Sequence, residues 1–169
     1  MYLSSEARSR LLIPMITVCL AATLFMGWIG EPLNMAWNRS GILELEFCWI
    51  ADCVALMAEW PSPEIALPGL YADYGYLVVY SAVIGLACIQ AGGVLSERWS
   101  PWGVPLAWLL VAAALCDAVE NAALIRLVSG ADGPEAAISF VCASVKFAFV
   151  GLGLVYSAAG AIAYMRGSR

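Results

Sequence analysis

The sequence predicts an all-α membrane protein: four transmembrane helices in an up-down-up-down bundle, with an interfacial amphipathic helix in the long loop between helices 1 and 2. Three observations predict it. Of 169 residues, 63% are hydrophobic and only 12% charged, with a mean hydropathy of +0.84, whereas soluble domains are about 25% charged and about 45–50% apolar. A soluble chain of this length still exposes roughly a third of its unfolded-chain surface, so this composition would put large apolar patches into water. The apolar residues also gather in four runs, each near the roughly 20 residues that cross ~30 Å of hydrocarbon at 1.5 Å per residue.

Span one covers about 11–29, LLIPMITVCLAATLFMGWI, with Pro14 in its first turn, where proline costs little. It is too long for the apolar core of a signal peptide and lacks a small-x-small cleavage site, so it is expected to be retained. The loop from Gly30 to Asp73 is long enough to hold structure of its own. Its middle, Ile42 to Trp60, reads as one helix. On a 100° wheel Glu44, Asp52 and Glu59 share a sector with Cys48, Ala51, Ala55 and Ala58, while Ile42, Leu45, Trp49, Ile50, Leu56, Met57 and Trp60 spread over the other side. The tryptophans make it interfacial. Pro61, Pro63 and Pro68 then end this helix and extend the chain toward span two, at about 74–95. Spans three and four follow at about 104–128 and 136–165, and no internal repeat or second domain is visible, so 1–169 reads as a single transmembrane domain.

Orientation follows from the arginines. Arg8 and Arg10 precede span one, Arg98 lies between spans two and three, and Arg166 and Arg169 follow span four, all on one side. The other side receives Arg39 and Arg126 among many acids, including Glu31, Glu44, Glu46, Asp52, Glu59, Glu64, Asp132 and Glu135. The positive-inside rule then places both termini in the cytoplasm. A net charge of −5 argues against nucleic acid, whose phosphates need a basic face.

Six cysteines occur, with no CxxC. Cys48 and Cys53, five apart, point about 140° away from each other on a helix and cannot bridge without unwinding it, which disfavours a thiol-disulfide oxidoreductase. The chain has no His, which removes the usual haem, chlorophyll and zinc ligand, and neither metal nor cofactor is expected.

Chemistry concentrates in span three. CDAVENAALIRLV sets Asp117, Glu120 and Asn121 at i, i+3 and i+4, so they project from one face. A central charge costs at least about 2.5–3.5 kcal/mol in the bilayer, so that face should turn into the bundle and find a partner. Lys146 of span four lies ~15 Å below the outer end of its helix, against ~12 and ~17 Å for Glu120 and Asp117, so the three should meet. Two carboxylates on one ammonium leave an excess charge; one acid holding a proton, Arg126 or a bound cation is expected to balance it. The bland reading is a polar clasp between spans three and four. The sharper ones are a proton or cation site of a small transporter and, third, an intramembrane hydrolase or transferase, against which stands the lack of any His, HExxH, GxSxG or phosphate-cradling loop.

Glu46 falls in the apolar sector of the loop helix, so with Asp73, Tyr74, Tyr76 and Arg126 it forms a candidate outer cap; the plainer alternative has Glu46 reaching the headgroups and Asp73 capping span two. Small residues Ser81, Gly85, Cys88 and Gly92 stripe span two, and Gly153, Ser157 and Gly160 stripe span four, which permits close helix contact within the bundle or with a neighbour.

ILELEF with a later EW (Ile42 to Phe47, Glu59, Trp60), YADYGYLVVYS (Tyr71 to Ser81), DAVEN (Asp117 to Asn121) and VKF (Val145 to Phe147) together resemble a group of uncharacterised bacterial four-helix integral membrane proteins, from which Gly75 departs by replacing an apolar residue. The resemblance implies a bacterial inner-membrane protein in which Asp73, Asp117, Glu120, Asn121 and Lys146 belong to one design; no activity comes with it. The expectation for function is a non-enzymatic accessory or structural subunit that packs against a larger membrane complex, with the lipid bilayer and other subunits as partners. A small proton- or cation-coupled transporter using Asp117, Glu120 and Lys146 stands second, and an intramembrane enzyme third.

Overall fold

The computed structural model describes residues 5–35, 41–131 and 133–167. All regular structure among them is helical. Four helices are long and apolar enough to cross a membrane: α1 (Ser5–Met35), α4 (Leu67–Gly92), α5 (Gly103–Val128) and α6 (Glu135–Gly167). Between α1 and α4 lie the short α2 (Ile42–Glu46) and α3 (Ile50–Ala58), then a 3₁₀ turn, Pro63–Ala66. Arg39, Asp132 and Arg169 fall outside the described residues.

Three sequence expectations need correction. The loop helix is not continuous from 42 to 60: it breaks at 47–49, and Cys48 and Cys53 are disulfide-bonded across the break. The 140° separation computed for an unbroken helix therefore never applies, because Cys48 sits in the irregular connector. Span two begins at Leu67, not Tyr74, because Pro63 and Pro68 each open a helical segment instead of ending one. Proline fits a first turn, where its missing N–H would have no partner anyway. Pro14, by contrast, is not in a first turn but lies well inside α1, which starts at Ser5, where proline removes an i→i−4 hydrogen bond.

α4 is the centre of the bundle and touches α1, α5 and α6, while α5 and α6 pack along each other. The small-residue stripes serve these contacts. A side chain at Gly85 would meet Ala107, one at Gly153 would come within 2.8 Å of Leu110, and one at Gly160 would strike the Ala91 backbone. A side chain at Gly92 would lie 2.8 Å from the Ser100 carbonyl, and the Ser100 hydroxyl donates to the Gly92 carbonyl at 2.6 Å. Cys88 Sγ donates to the Gly153 carbonyl and contacts Ser157 Oγ, each at 3.4 Å, whereas Ser81 Oγ donates within its own helix to Val78. α1 is the exception: its most apolar stretch is bare, with Leu24 76% and Trp28 68% exposed.

The connector packs down on one end of the bundle. Leu45, Cys53, Trp60 and Ala66 form a buried cluster with Leu70 of α4, Leu124 and Val128 of α5 and Ala136 of α6. Phe47 and Trp49 stack edge-on against Phe140, with ring centres 6.1 and 5.5 Å away. This lid, closed by the disulfide, positions Glu46.

Candidate functional site: a buried cluster of acids around Lys146

Helical periodicity assembles the site. On α5, Asp117, Glu120, Asn121 and Leu124 recur at the spacing of one face and are all buried; Glu120 is fully enclosed. On α6, Ser139, Ala143 and Lys146 do the same. Lys146 Nζ donates to Asp117 Oδ1 and Glu120 Oε1, both at 3.0 Å. Asn121, on the same α5 face, donates through Nδ2 to Asp73 Oδ2 of α4 at 2.6 Å.

Three further groups join: Asp73, which the motif resemblance alone groups with this centre, and Glu46 and Tyr80, which the sequence does not assign to it. Glu46 reaches down from α2 until its Oε2 lies 3.4 Å from Lys146 Nζ, while its backbone carbonyl accepts from Ser139 Oγ at 3.3 Å. Asp73 lies inside α4, about two turns beyond its start, so it does not cap the helix; its carboxyl interacts directly with that of Asp117. Tyr80, one heptad on along the same face of α4, donates to Asp117 Oδ2 at 2.8 Å. Tyr80 had a legible signal, the i, i+7 spacing from Asp73. Glu46 had one in its place on an apolar face, but the distance it reaches depends on the break after it.

The rest of the expected outer cap does not form. Tyr74 donates to the Ala118 carbonyl at 3.2 Å, Tyr76 shares a hydrogen bond with Thr23 of α1 at 3.0 Å, and Arg126, 71% exposed in its side chain, pairs with Glu135 through Nε at 2.9 Å. Arg126 therefore does not balance the cluster.

The electrostatics are lopsided. Glu46, Asp117 and Glu120 are three buried carboxyls around one ammonium, so full ionisation would leave two uncompensated negative charges out of water, with the half-buried carboxyl of Asp73 beside them. Glu46 Oε2 and Glu120 Oε2 are buried without a hydrogen bond, and unsolvated anionic oxygens of that kind are costly. For Glu46, in the lid, burial lifts the carboxyl from 4.5 to about 7, with nearby Lys146 opposing the rise. Among the described residues no group of three or more His, Cys, Asp or Glu is disposed to hold a metal ion.

A cavity of about 60 Å³ adjoins the cluster, lined by Glu46, Asp73 and Asn121 on one side and by α1 on the other. A larger hollow of about 560 Å³, walled by Trp99, Trp102, Leu106, Leu152 and Tyr156, shares no residue with it and presents almost no polar surface. No family model, curated protein or solved structure matches the chain.

Proposed function

We propose that the chain is an integral membrane protein that takes up and releases protons at the Lys146 cluster, the working site of a small proton- or cation-coupled transporter. One observation carries this reading: three buried carboxyls, Glu46, Asp117 and Glu120, share a single ammonium with half-buried Asp73 beside them, and two of the buried oxygens have no hydrogen bond. A clasp that merely joined α5 to α6 would be served by one acid and one amine. Each added buried acid without a cation must hold a proton or draw one in, and two interacting carboxyls such as Asp73 and Asp117 share one most easily.

In this reading the spans alternate up-down-up-down, both termini are cytoplasmic, and the lid with its cavity faces outward. The arginine distribution supports that orientation. The Cys48–Cys53 bond supports it independently, since disulfides persist outside the reducing cytoplasm. A bacterial inner membrane rests on the motif resemblance alone.

The test is infrared difference spectroscopy of the reconstituted chain between mildly alkaline and mildly acidic pH. Wild type should show a protonated-carboxyl carbonyl band that grows on acidification, and Glu120→Gln should remove one component of it while leaving the fold intact. A band that does not titrate would reduce the cluster to a static clasp.

A second reading, an accessory subunit, is favoured by the bare apolar face of α1 around Leu24 and Trp28. Native mass spectrometry of gently solubilised membranes should then find a stoichiometric partner that Leu24→Ala with Trp28→Ala releases. A monomeric mass in both would remove this reading.

A further inference from the structure

We propose that the cavity between α1 and α4 is a binding site for a small organic cation, an alkylammonium, which exchanges there with protons on Glu46 and Asp73. This rests on the proton-exchange reading above and names the ligand class of the same site.

The walls of the cavity are of two kinds. Met26, Ile29 and Leu33 of α1, Ile42 and Ile65 of the connector and Leu70 of α4 make an apolar half. Glu46 and Asp73, with Asn121 holding Asp73 in place, make an acidic half. Glu46 is only 8% exposed and its Oε2 lacks a hydrogen bond; at 3.4 Å its one cation, Lys146, is already hydrogen-bonded to Asp117 and Glu120. The acidic half therefore has negative charge to offset and no donor of its own to spare.

That combination selects the ligand. A bare inorganic ion wants a shell of oxygens, about six or more for the hard divalent cations; an apolar wall offers none, and no metal-binding group of side chains is present among the described residues. A neutral apolar molecule would leave the acids unpaired, at a cost. An ammonium on a short hydrocarbon tail satisfies both halves: its N–H groups reach the carboxylates and its tail lies against Ile29, Leu33 and Leu70. The volume, about 60 Å³, admits a few waters at roughly 10–15 Å³ each and so restricts the ligand to a small one.

Proton competition follows from what surrounds these two acids. Asp117, Glu120 and Asn121 face them from α5, Lys146 from α6 and Tyr80 from α4, and among the described cavity residues α1 contributes no charge. Lys146 is the single fixed cation in that set, so an arriving ammonium and a proton neutralise the same excess. Binding one displaces the other.

The experiment is a calorimetric titration of the full chain in lipid nanodiscs with propylammonium chloride, and with sodium chloride in its place. Expected is saturable propylammonium binding at mildly alkaline pH that weakens by about tenfold or more at mildly acidic pH and in Asp73→Asn. Gly69→Leu supplies a variant that leaves every acid in place: a side chain there points into the cavity, its first carbon 3.8 Å from Ile29 Cγ2, and should abolish binding by filling the space. Sodium binding as well as propylammonium, or Gly69→Leu binding as wild type does, would overturn the organic-cation site. Absence of saturable heat while the carboxyl band still titrates would overturn this inference and leave proton exchange standing; loss of the titrating band would overturn both.

Discussion

Glu46 joins the lid to the bundle through two atoms at once, its carbonyl held by Ser139 and its carboxyl turned to Lys146. Its burial has a measurable consequence. With an ordinary value of 4.5 and a folded value of about 7, the folded protein binds this proton more tightly than the unfolded chain throughout that window. Stability must then be greatest below the unfolded value, fall as pH rises through the window, and level off above about 7. The loss attributable to Glu46 is at most about 3–4 kcal/mol, at about 1.4 kcal/mol per pKa unit. Thermal unfolding in one detergent across that window should show the decline in wild type and a shallower one in Glu46→Gln, which stays neutral. Stability rising with pH, or an unchanged slope in the variant, would mean that Glu46 is solvated after all.

At the scale of elements, what periodicity governs was legible and what a break governs was not. Asp117, Glu120 and Asn121 share a face in any unbroken α5, and residue counts from the helix ends set Lys146 at their level. Two hydrogen bonds at 3.0 Å agree with that geometry. The loop resisted the same treatment because a helical wheel assumes constant phase. Residues 47–49 interrupt it, the N–H groups of Asp52 and Cys53 restart on the Trp49 carbonyl, and the Cys48–Cys53 bond becomes possible only because of that interruption. Closing a loop of so few residues stabilises by about 2 kcal/mol in the chain-entropy view. The place of Asp73 turns on a related point. Reading Pro68 as a helix breaker delays α4 by seven residues and makes an interior acid look like a cap. Helix-opening proline is equally good physics, and only the packing of Ala66 and Leu70 into the lid core decides between them.

The whole molecule ties orientation to redox chemistry, and so yields a test that bears on both. The turn between α4 and α5, which carries Arg98, and the turn between α5 and α6 lie at opposite ends of the 26-residue α5. If the arginines set topology, the first turn is cytoplasmic and the second, at the lid end, is outside. The disulfide favours the same proposed assignment, since a thiol pair on the cytoplasmic side would be held reduced. Two independent physical principles thus point to one proposed orientation. Ser129→Cys and Ser96→Cys place thiols on the exposed turns at the two ends, while the four free native cysteines, Cys19, Cys88, Cys116 and Cys142, all lie within the long helices. In intact cells an impermeant maleimide should label Ser129→Cys at once and Ser96→Cys only after lysis, and mass analysis of the same untreated protein should find Cys48 and Cys53 bridged. Labelling in the reverse order would turn the lid and its cavity toward the cytoplasm, strand the disulfide on the reducing side, and make the carboxyls accessible from inside, so that proton entry would have to be sought from the opposite face.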